Sequence, residues 1–584
     1  MKYSDQIADW LIQLGYTHCF YVGGGNIMHL IESLSKKLTC VPVINEVAAG
    51  IAAEYFNETS IGTKALAMVT AGPGLTNIVT AIAGAYLESR ELLVIGGQVK
   101  TADLARGVLR QRGIQEIDGV SIVQPITVKS VLVDEPISFD AFKSIVLHDG
   151  VYRPGPVFIE IPIDIQARVV DFPGPNINSL EAKLPKISLD DIAGVANKIN
   201  HAKRPAILLG GGINRGTAKH LKDKLSQLSI PILTTWNAAD RIPFDQHNYM
   251  GRPNTWGQRS ANLVMQQADL LIAVGTRLGM QQTGFNWQNF IPNGYVIQID
   301  IDKAELEKGH PKIDLGLFGD ANTFLEDLLD QKIDDHSEWL TYARGIRNAI
   351  PLVEDVNKTA SGFLSPYHFA QMLSSVCSET DVVIPCSSGG AFTIMMQTFE
   401  QKGDQKIVTN KGLASMGYGL SGAIGAAIAN PNARTVLVEG DGGFSQNLQE
   451  IGTAAINKLN LKMFIFDDSG YASIRATQRN YFGGSYVGCD RSTGLGLPNW
   501  EKLFAAWDVP VIRLDKDFTE DAKFRTMFES DGLAAFIVPV DPEQTYFPKI
   551  TSRITENGSM ESNPLHKMTP DLSEEQYLKV SKYL

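Results

Sequence analysis

The chain has 584 residues, 44% of them hydrophobic and 20% charged. That excludes a single domain and, at about 150 residues per domain, indicates three or four. Its 52 Lys+Arg against 64 Asp+Glu give a formal charge of −12 with no basic block, which argues against a nucleic-acid partner, because phosphate-backbone binding needs clustered positive charge. Cys19, Cys40, Cys377, Cys386 and Cys489 are scattered and form no CxxC pair, so neither a disulfide framework nor a zinc knuckle is expected.

The first residues, MKYSDQIADWLIQLGY, mix charge into an amphipathic pattern, unlike the apolar block of a secretory signal, and a cytoplasmic protein is expected. Short β-rich runs then alternate with helical patterns in chain order: ALAMVTAG, LLVIGGQV, VFIEIPI, AILLGGGI, LLIAVGTRL, YVIQIDID, TVLVEGDGG and LKMFIFDD. The alternation predicts an α/β protein with doubly wound parallel sheets covered by helices on both faces. The first block, 1–170, closes on VFIEIPIDIQ. A connector, DFPGPNINSLEAKLPKIS, leads to a second block over 189–332, and a polar helical connector leads to a third over 361–548. Residues 549–584 read as a tail wrapping over the body. Gly412 to Ala433 carry no charge over 22 residues. Their Gly and Ala content predicts a buried, closely packed helix and no membrane span.

The third block carries the strongest local signal. The strand TVLVEG runs into Gly440-Asp441-Gly442-Gly443 and a helix-like segment. Ligands bind at such carboxyl ends of strands, glycines let an anion approach the backbone, and helix N-terminal amides favour phosphate. A carboxylate there suits Mg²⁺ bridging to phosphate oxygens, although a capping Asp in a plain strand–turn–helix reads equally well from this fragment alone. A second strand, LKMFIF, ends in Asp467-Asp468-Ser469-Gly470-Tyr471, placing Asp468 27 residues after Asp441. Two neighbouring parallel strands separated by one helix bring these acidic ends together.

This pair of turns resembles the thiamine diphosphate (ThDP) signature, a GDG followed by an Asn-containing turn, and the chain is similar to ThDP enzymes of the acetolactate synthase and pyruvate oxidase group. The resemblance extends over nearly all of the chain. Asn45-Glu46 before VAAGIAAEYF is similar to the family's catalytic-glutamate helix. Thr70-Ala71-Gly72-Pro73-Gly74 with Asn77 resembles its TSGPGxTN loop, and GLASMGYGLSGAIGAA matches the segment ahead of the GDG turn. In the middle block RPAILLGGGI, GTRL, IQIDID and LFGD match. The resemblance implies three α/β domains: pyrimidine-binding, central Rossmann-like and diphosphate-binding.

It also implies roles. Glu46 would hydrogen-bond the cofactor's aminopyrimidine, a site where a buried carboxyl favours proton sharing, though a Glu at a helix start is by itself more often a dipole-compensating residue. Met416 would support the folded cofactor, and the carbonyl of Ala414 would accept from its amino group. Asp441, Asp468 and the backbone of Gly470 would hold Mg²⁺. Amides around Ser388-Gly389-Gly390, Gly442-Gly443 and Tyr471 would meet the diphosphate. Asp468 departs from the family's usual Asn and adds a negative charge. The central domain raises FAD: Gly275-Thr276-Arg277, Asp300, Asp302 and Gly319-Asp320 resemble flavin contacts, the alternative being a domain that only braces a dimer. The family glutamate acts on cofactor held by another subunit, so a homodimer or homotetramer is expected.

Two departures bear on the substrate. In acetolactate synthases an arginine four residues after the GxR arginine meets the acceptor carboxylate. Here Arg277-Leu278-Gly279-Met280-Gln281 puts Gln281 at that place. Thr477 stands where a tryptophan sets acceptor choice. Losing a carboxylate clamp and an aromatic wall points to a wider site for a ketone or aldehyde, with Arg475 as an alternative carboxylate contact. Arg475 and Arg479 would also suit a nucleotide diphosphate. At this level the chain resembles the carboligases of branched-chain deoxysugar (yersiniose-type) biosynthesis, which add a two-carbon unit from pyruvate to a nucleotide-linked keto-deoxysugar. The Gly23-Gly24-Gly25 loop leaves room above the cofactor, His29 reads as structural, and Gln115, in a segment similar to the family's FQE, would orient a carbonyl. Acetolactate synthase proper, and a C–C lyase, hydrolase or decarboxylase acting on another 2-oxo acid or diketone, remain as alternatives.

Overall fold

The computed structural model describes residues 1–172, 184–554, 556–558 and 560–584. Most of the expected first connector, 173–183, lies outside the described residues. The first sheet is built from β1 (Tyr16–Tyr21), β2 (Thr39–Pro42), β3 (Lys64–Val69), β4 (Leu92–Gln98), β5 (Lys129–Leu132) and β6 (Pro156–Pro162). The second contains β7 (Pro205–Leu209), β8 (Ile232–Thr234), β9 (Tyr249–Gly251), β10 (Leu270–Val274), β11 (Tyr295–Asp300) and β12 (Leu315–Phe318). The third contains β13 (Val382–Ile384), β14 (Lys406–Ile407), β15 (Thr435–Gly440), β16 (Leu461–Asp467), β17 (Val511–Arg513) and β18 (Ala534–Pro539). Strands β4, β7 and β10 are buried along their whole length. Helices cover both faces of each sheet, which is why these segments read as unbroken apolar runs.

The topology places the sites. The first sheet runs β2-β1-β3-β4-β6-β5 and the third β14-β13-β15-β16-β18-β17, one and the same order, with every pair parallel. The order reverses between β1 and β3, and again between β13 and β15. The central sheet runs β12-β11-β10-β7-β8-β9 and reverses between β7 and β10. In open parallel sheets, ligands bind outside the strand ends at such a switch point. Gly23–Gly25 and Thr70–Gly74 flank the first, Gly210–Gly212 and Gly275 the second, and Cys386–Gly390 and Asp441 the third.

The first and third domains share one core. The helix Glu46–Thr59 packs along the helix Tyr418–Ala429, and a single apolar cluster crosses from Ala52 and Tyr55 to Tyr418 and Ala423. Contact is close because the small residues permit it. A methyl on Gly425 would strike the Ala52 carbonyl, and one on Gly422 would meet the Tyr55 ring at 2.6 Å. The uncharged stretch Gly412–Ala433 is thus largely this buried helix. Among the described residues no helix is long and apolar enough to cross a membrane. The tail carries a small hairpin, Ser552–Ile554 with Met560–Ser562, and a helix Glu574–Val580. Ile550, Leu565, Met568 and Val580 enter the central domain's core, and Gln267 donates to the Val580 carbonyl at 2.8 Å.

Candidate active site

Asp441 is the last step out of β15. Its Oδ1 accepts from the Gly442 amide at 2.6 Å and its Oδ2 from the Gly470 amide at 3.0 Å, so one carboxylate ties the ends of β15 and β16 together. Asp441 and Asp468 are both buried. Burial, then the negative charge of Asp468, pushes the Asp441 carboxyl well up, and burial pushes Asp468 up to about 7 against the pull of Arg475. Two buried carboxyls side by side repel unless a positive charge stands near them. The turn is specific to glycine: Gly470 has φ +153°, and a Cβ there would strike the Cys489 carbonyl. The carbonyl of Gly470 faces Gly442, 3.7 Å from where a Cβ on that residue would sit. Two carboxylates and one carbonyl on this turn are hard oxygen donors that fit Mg²⁺.

Across the switch point, Ser388 is the extended N-cap of the helix Gly389–Thr398, and no side chain caps its amides. Such amides favour a phosphate. Gly389 takes φ +76°, and side chains on Gly390 and Gly442 would run into the rings of Tyr546 and Tyr471. Ala414 sits at φ +55°, a left-handed conformation costly for a residue with a Cβ. Two residues on, Met416 leaves 38% of its surface exposed, and Gln446 donates to its sulfur at 3.7 Å. An apolar side chain presented in this way beside the glycine cradle fits a supported organic ring.

The first domain supplies a second cluster. Glu46 opens its helix behind the N-cap Asn45 and is buried. Asn77, from the helix Pro73–Glu88, donates to its Oε2 at 2.9 Å. Gly72, at φ +66°, lies against the backbone of Gln115, itself at φ +64°, so a Cβ at position 72 would collide with the Gln115 carbonyl. Gly24 lies similarly against Thr70. Thus Gly24, Gly72, Asn77, Glu46 and Gln115 share one strand-end region, with the Gln115 side chain exposed.

A separate cavity of about 1600 Å³ opens at the central switch point. Arg277, Asp300, Asp320, Gly211 and Gly212 line it. Gly212 donates to the Gly275 carbonyl at 2.9 Å, and burial raises the Asp300 carboxyl. Asp320 also caps a helix, accepting from Asn322 and Thr323 at 3.2 and 3.1 Å. None of Glu46, Asp441 and Asp468 lines the cavity.

The residues expected to meet the acceptor are dispersed. Gln281 lines the central cavity. Thr477 is exposed and its hydroxyl donates to the Ser473 carbonyl at 2.9 Å. Arg475 is buried at the metal turn: Nη2 donates to the Asp468 carbonyl at 2.8 Å, and Nε to the Pro542 carbonyl at 3.1 Å. Arg479 pairs with Glu543. Several neighbours carry no recognisable motif of their own. Glu450 is fully buried and accepts from the amides of Ile44 and Asn45 at 3.1 and 3.0 Å, holding the start of the Glu46 helix from the third domain. Tyr546 walls Gly390, and Asn447 donates to the Gly417 carbonyl at 2.7 Å. The position of Glu450 nine residues beyond Asp441, in an apolar helix start, was the one available cue.

Comparison with known proteins agrees with this geometry. Three family models match in order: the N-terminal TPP (thiamine pyrophosphate, i.e. ThDP) binding domain over residues 1–122, the thiamine pyrophosphate enzyme central domain over 192–328, and the C-terminal TPP binding domain over 388–538. The chain is 29% identical to the acetolactate synthase isozyme 1 large subunit of Escherichia coli K12, over 94% of this chain and 95% of that one. It is 30% identical to a probable acetolactate synthase large subunit of Methanocaldococcus jannaschii, over 93% of each. Identity to the E. coli isozyme 2 large subunit is 28%, over 96% of this chain and all of the relative.

Proposed function

The chain belongs to the thiamine pyrophosphate enzymes, and from that premise we propose that it is a Mg²⁺-dependent carboligase that decarboxylates pyruvate and transfers the two-carbon acetyl unit to a ketone or aldehyde lacking a free carboxylate. Bound ThDP supplies the nucleophilic carbon and the electron sink that let a 2-oxo acid lose carbon dioxide. Glu46 holds a proton at the pyrimidine ring, and the amide of Asn77 fixes which oxygen does so. Asp441, Asp468 and the Gly470 carbonyl hold the metal, and the backbone amides around Ser388–Gly390 and Gly442–Gly443 hold the diphosphate. Met416 and Ala414 position the ring system. Gln115 and the Gly23–Gly25 loop face the reacting carbonyls.

The observation carrying the acceptor class is the engagement of Arg475. With Gln281 in place of the family's arginine, Arg475 was the cation expected to supply an alternative carboxylate contact. Its guanidinium is instead occupied by Asp468 and Pro542, with 4% of the side chain exposed. A nucleotide-linked keto-deoxysugar is the acceptor to test first. Carbon-labelled pyruvate with such a sugar should give a branched product carrying the label. Label found solely in acetolactate would instead establish acetolactate synthase proper, the reading favoured by the names of the relatives.

The central cavity, with Arg277, Asp300 and Asp320 at its wall, has the size and polarity for FAD. Protein purified yellow, releasing flavin on denaturation, supports this, and colourless protein with no flavin counts against it. Exposed Met416, Ile474, Tyr481 and Phe482 in the third domain, and Val108, Leu109 and Ile114 in the first, are the apolar surfaces we assign to a homodimer with shared active sites. Dimeric mass in solution supports that arrangement, and a monomer active at all concentrations defeats it.

A further inference from the structure

The metal turn of this chain carries one charge more than its family pattern, an Asp where Asn is usual, and the helix that follows returns one compensating charge to it. Arg475 lies on the helix Ala472–Phe482, seven residues after Asp468. Its Nη2 reaches the Asp468 carbonyl at 2.8 Å and Oδ1 at 3.4 Å, with 4% and 8% of the two side chains exposed. The helix otherwise faces solvent, and Arg475 is its single buried residue. Burying a guanidinium is costly unless it is paired. The same guanidinium is anchored from behind by the Pro542 carbonyl at 3.1 Å.

We propose that Arg475 is a positioning residue of the metal site, set there to cancel the extra charge of Asp468, so that the Asp468–Arg475 pair does electrostatically what a neutral Asn does alone. The proposal rests on the reading of Asp441, Asp468 and Gly470 as the metal site. The charges facing the pair include Asp441 and Asp467 and, on the Arg475 side, Asp490, all negative. Arg513 answers Asp467 at 2.9 Å, which leaves Arg475, among the described residues, as the cation in contact with Asp468. With it, Asp441 and Asp468, in the ionised form that binds a metal, present together with Arg475 one net negative charge to a divalent ion and a diphosphate. Without it the turn presents two, attracting the metal more strongly but repelling the diphosphate.

The two accounts of Arg475 differ in sign. If it only braces the loop, its removal weakens metal binding, as loss of an outer contact usually does. If it balances charge, removal strengthens binding of the metal alone. The test is the affinity of the full-length, cofactor-free protein for Mn²⁺ alone, read by electron paramagnetic resonance, with thermal melts as a check on folding. Asp468→Asn should bind Mn²⁺ roughly tenfold more weakly than wild type, and Arg475→Met more tightly by a similar factor. The double variant Asp468→Asn/Arg475→Met should return to within about threefold of wild type. Weaker or unchanged binding in Arg475→Met overturns the proposal, and so does a double variant as weak as Asp468→Asn. The double variant decides the matter if Arg475→Met does not fold. Asp441→Asn is the control on the site itself: Mn²⁺ affinity unaffected by that change removes the metal reading and the proposal with it.

Discussion

Asn77 donates a 2.9 Å hydrogen bond to Oε2 of Glu46, joining the glycine-started helix after β3 to the helix that opens on the buried carboxyl. The bond uses one oxygen and leaves the other for a ligand. Glu46→Gln should slow exchange of the ThDP C2 proton by about 10² to 10⁴. Asn77→Ala, which keeps the carboxyl but frees its rotamer, should cost about tenfold, as loss of a partner that orients another group does. Exchange rates followed by NMR check both, and wild-type exchange in Glu46→Gln would remove this residue from catalysis.

Gly470 cannot carry a side chain. A Cβ would strike the Cys489 carbonyl, from a backbone already at φ +153°. Gly470→Ala should cost about 1 to 3 kcal/mol of stability and weaken Mg²⁺–ThDP binding by more than Gly440→Ala, a neighbouring glycine whose Cβ would meet open space. Denaturant melts and calorimetric titration measure the two effects.

The strands and the sites were legible to different degrees. Strands β3, β4, β6, β7, β10, β11, β15 and β16 stand out in the sequence because both faces of a parallel sheet are covered, so their apolar runs are unbroken. The edge strands β2, β5 and β17 are half-exposed, with mixed composition such as Lys129–Leu132, and carry no such signal. The place of Asp441 at a strand end was legible because its flanking glycines mark a tight turn after an apolar run. The Asp468–Arg475 pair was not: the one-turn pattern of a helix cannot say that Arg475 folds back on the loop instead of facing substrate. Nor was the hold of Glu450 on Ile44 and Asn45, formed across 405 residues.

Glu160, on β6, is buried with 3% of its surface exposed, and that burial pushes its carboxyl up to about 8. The folded protein therefore keeps a proton that the unfolded chain releases near pH 4.5. Folding binds more protons over that interval, so stability falls as pH rises from about 4.5 through about 8, by a few kcal/mol in all. Glu160→Gln should flatten this slope and gain most, relative to wild type, above pH 8. Melting temperatures across that range decide it: parallel profiles for the two proteins would mean Glu160 is ionised in the fold.

Glu54 on the first domain's buried helix takes hydrogen bonds from Arg90 at 2.7 Å, Asn410 at 3.2 Å and Tyr418 at 3.0 Å, while Arg90 also donates to the Thr409 carbonyl at 2.7 Å. This network ties the first domain to the third. Arg90→Met alone leaves a buried carboxylate without its counter-ion and should cost about 3 to 5 kcal/mol, whereas Glu54→Gln/Arg90→Met together should cost much less. A double variant as unstable as the single would show that the hydrogen bonds, and not the charge, hold the domains.

The central claim is a pyruvate-decarboxylating carboligase whose acceptor carries no free carboxylate. Its most direct measurement is carbon dioxide release from pyruvate by protein supplied with ThDP and Mg²⁺, alone and then with neutral ketones, aldehydes or 2-oxobutyrate added. Release that accelerates with a neutral carbonyl acceptor, and not with 2-oxobutyrate, together with a new branched product, is the result predicted. Release that needs only pyruvate and yields acetolactate, or that no neutral acceptor stimulates, would contradict it.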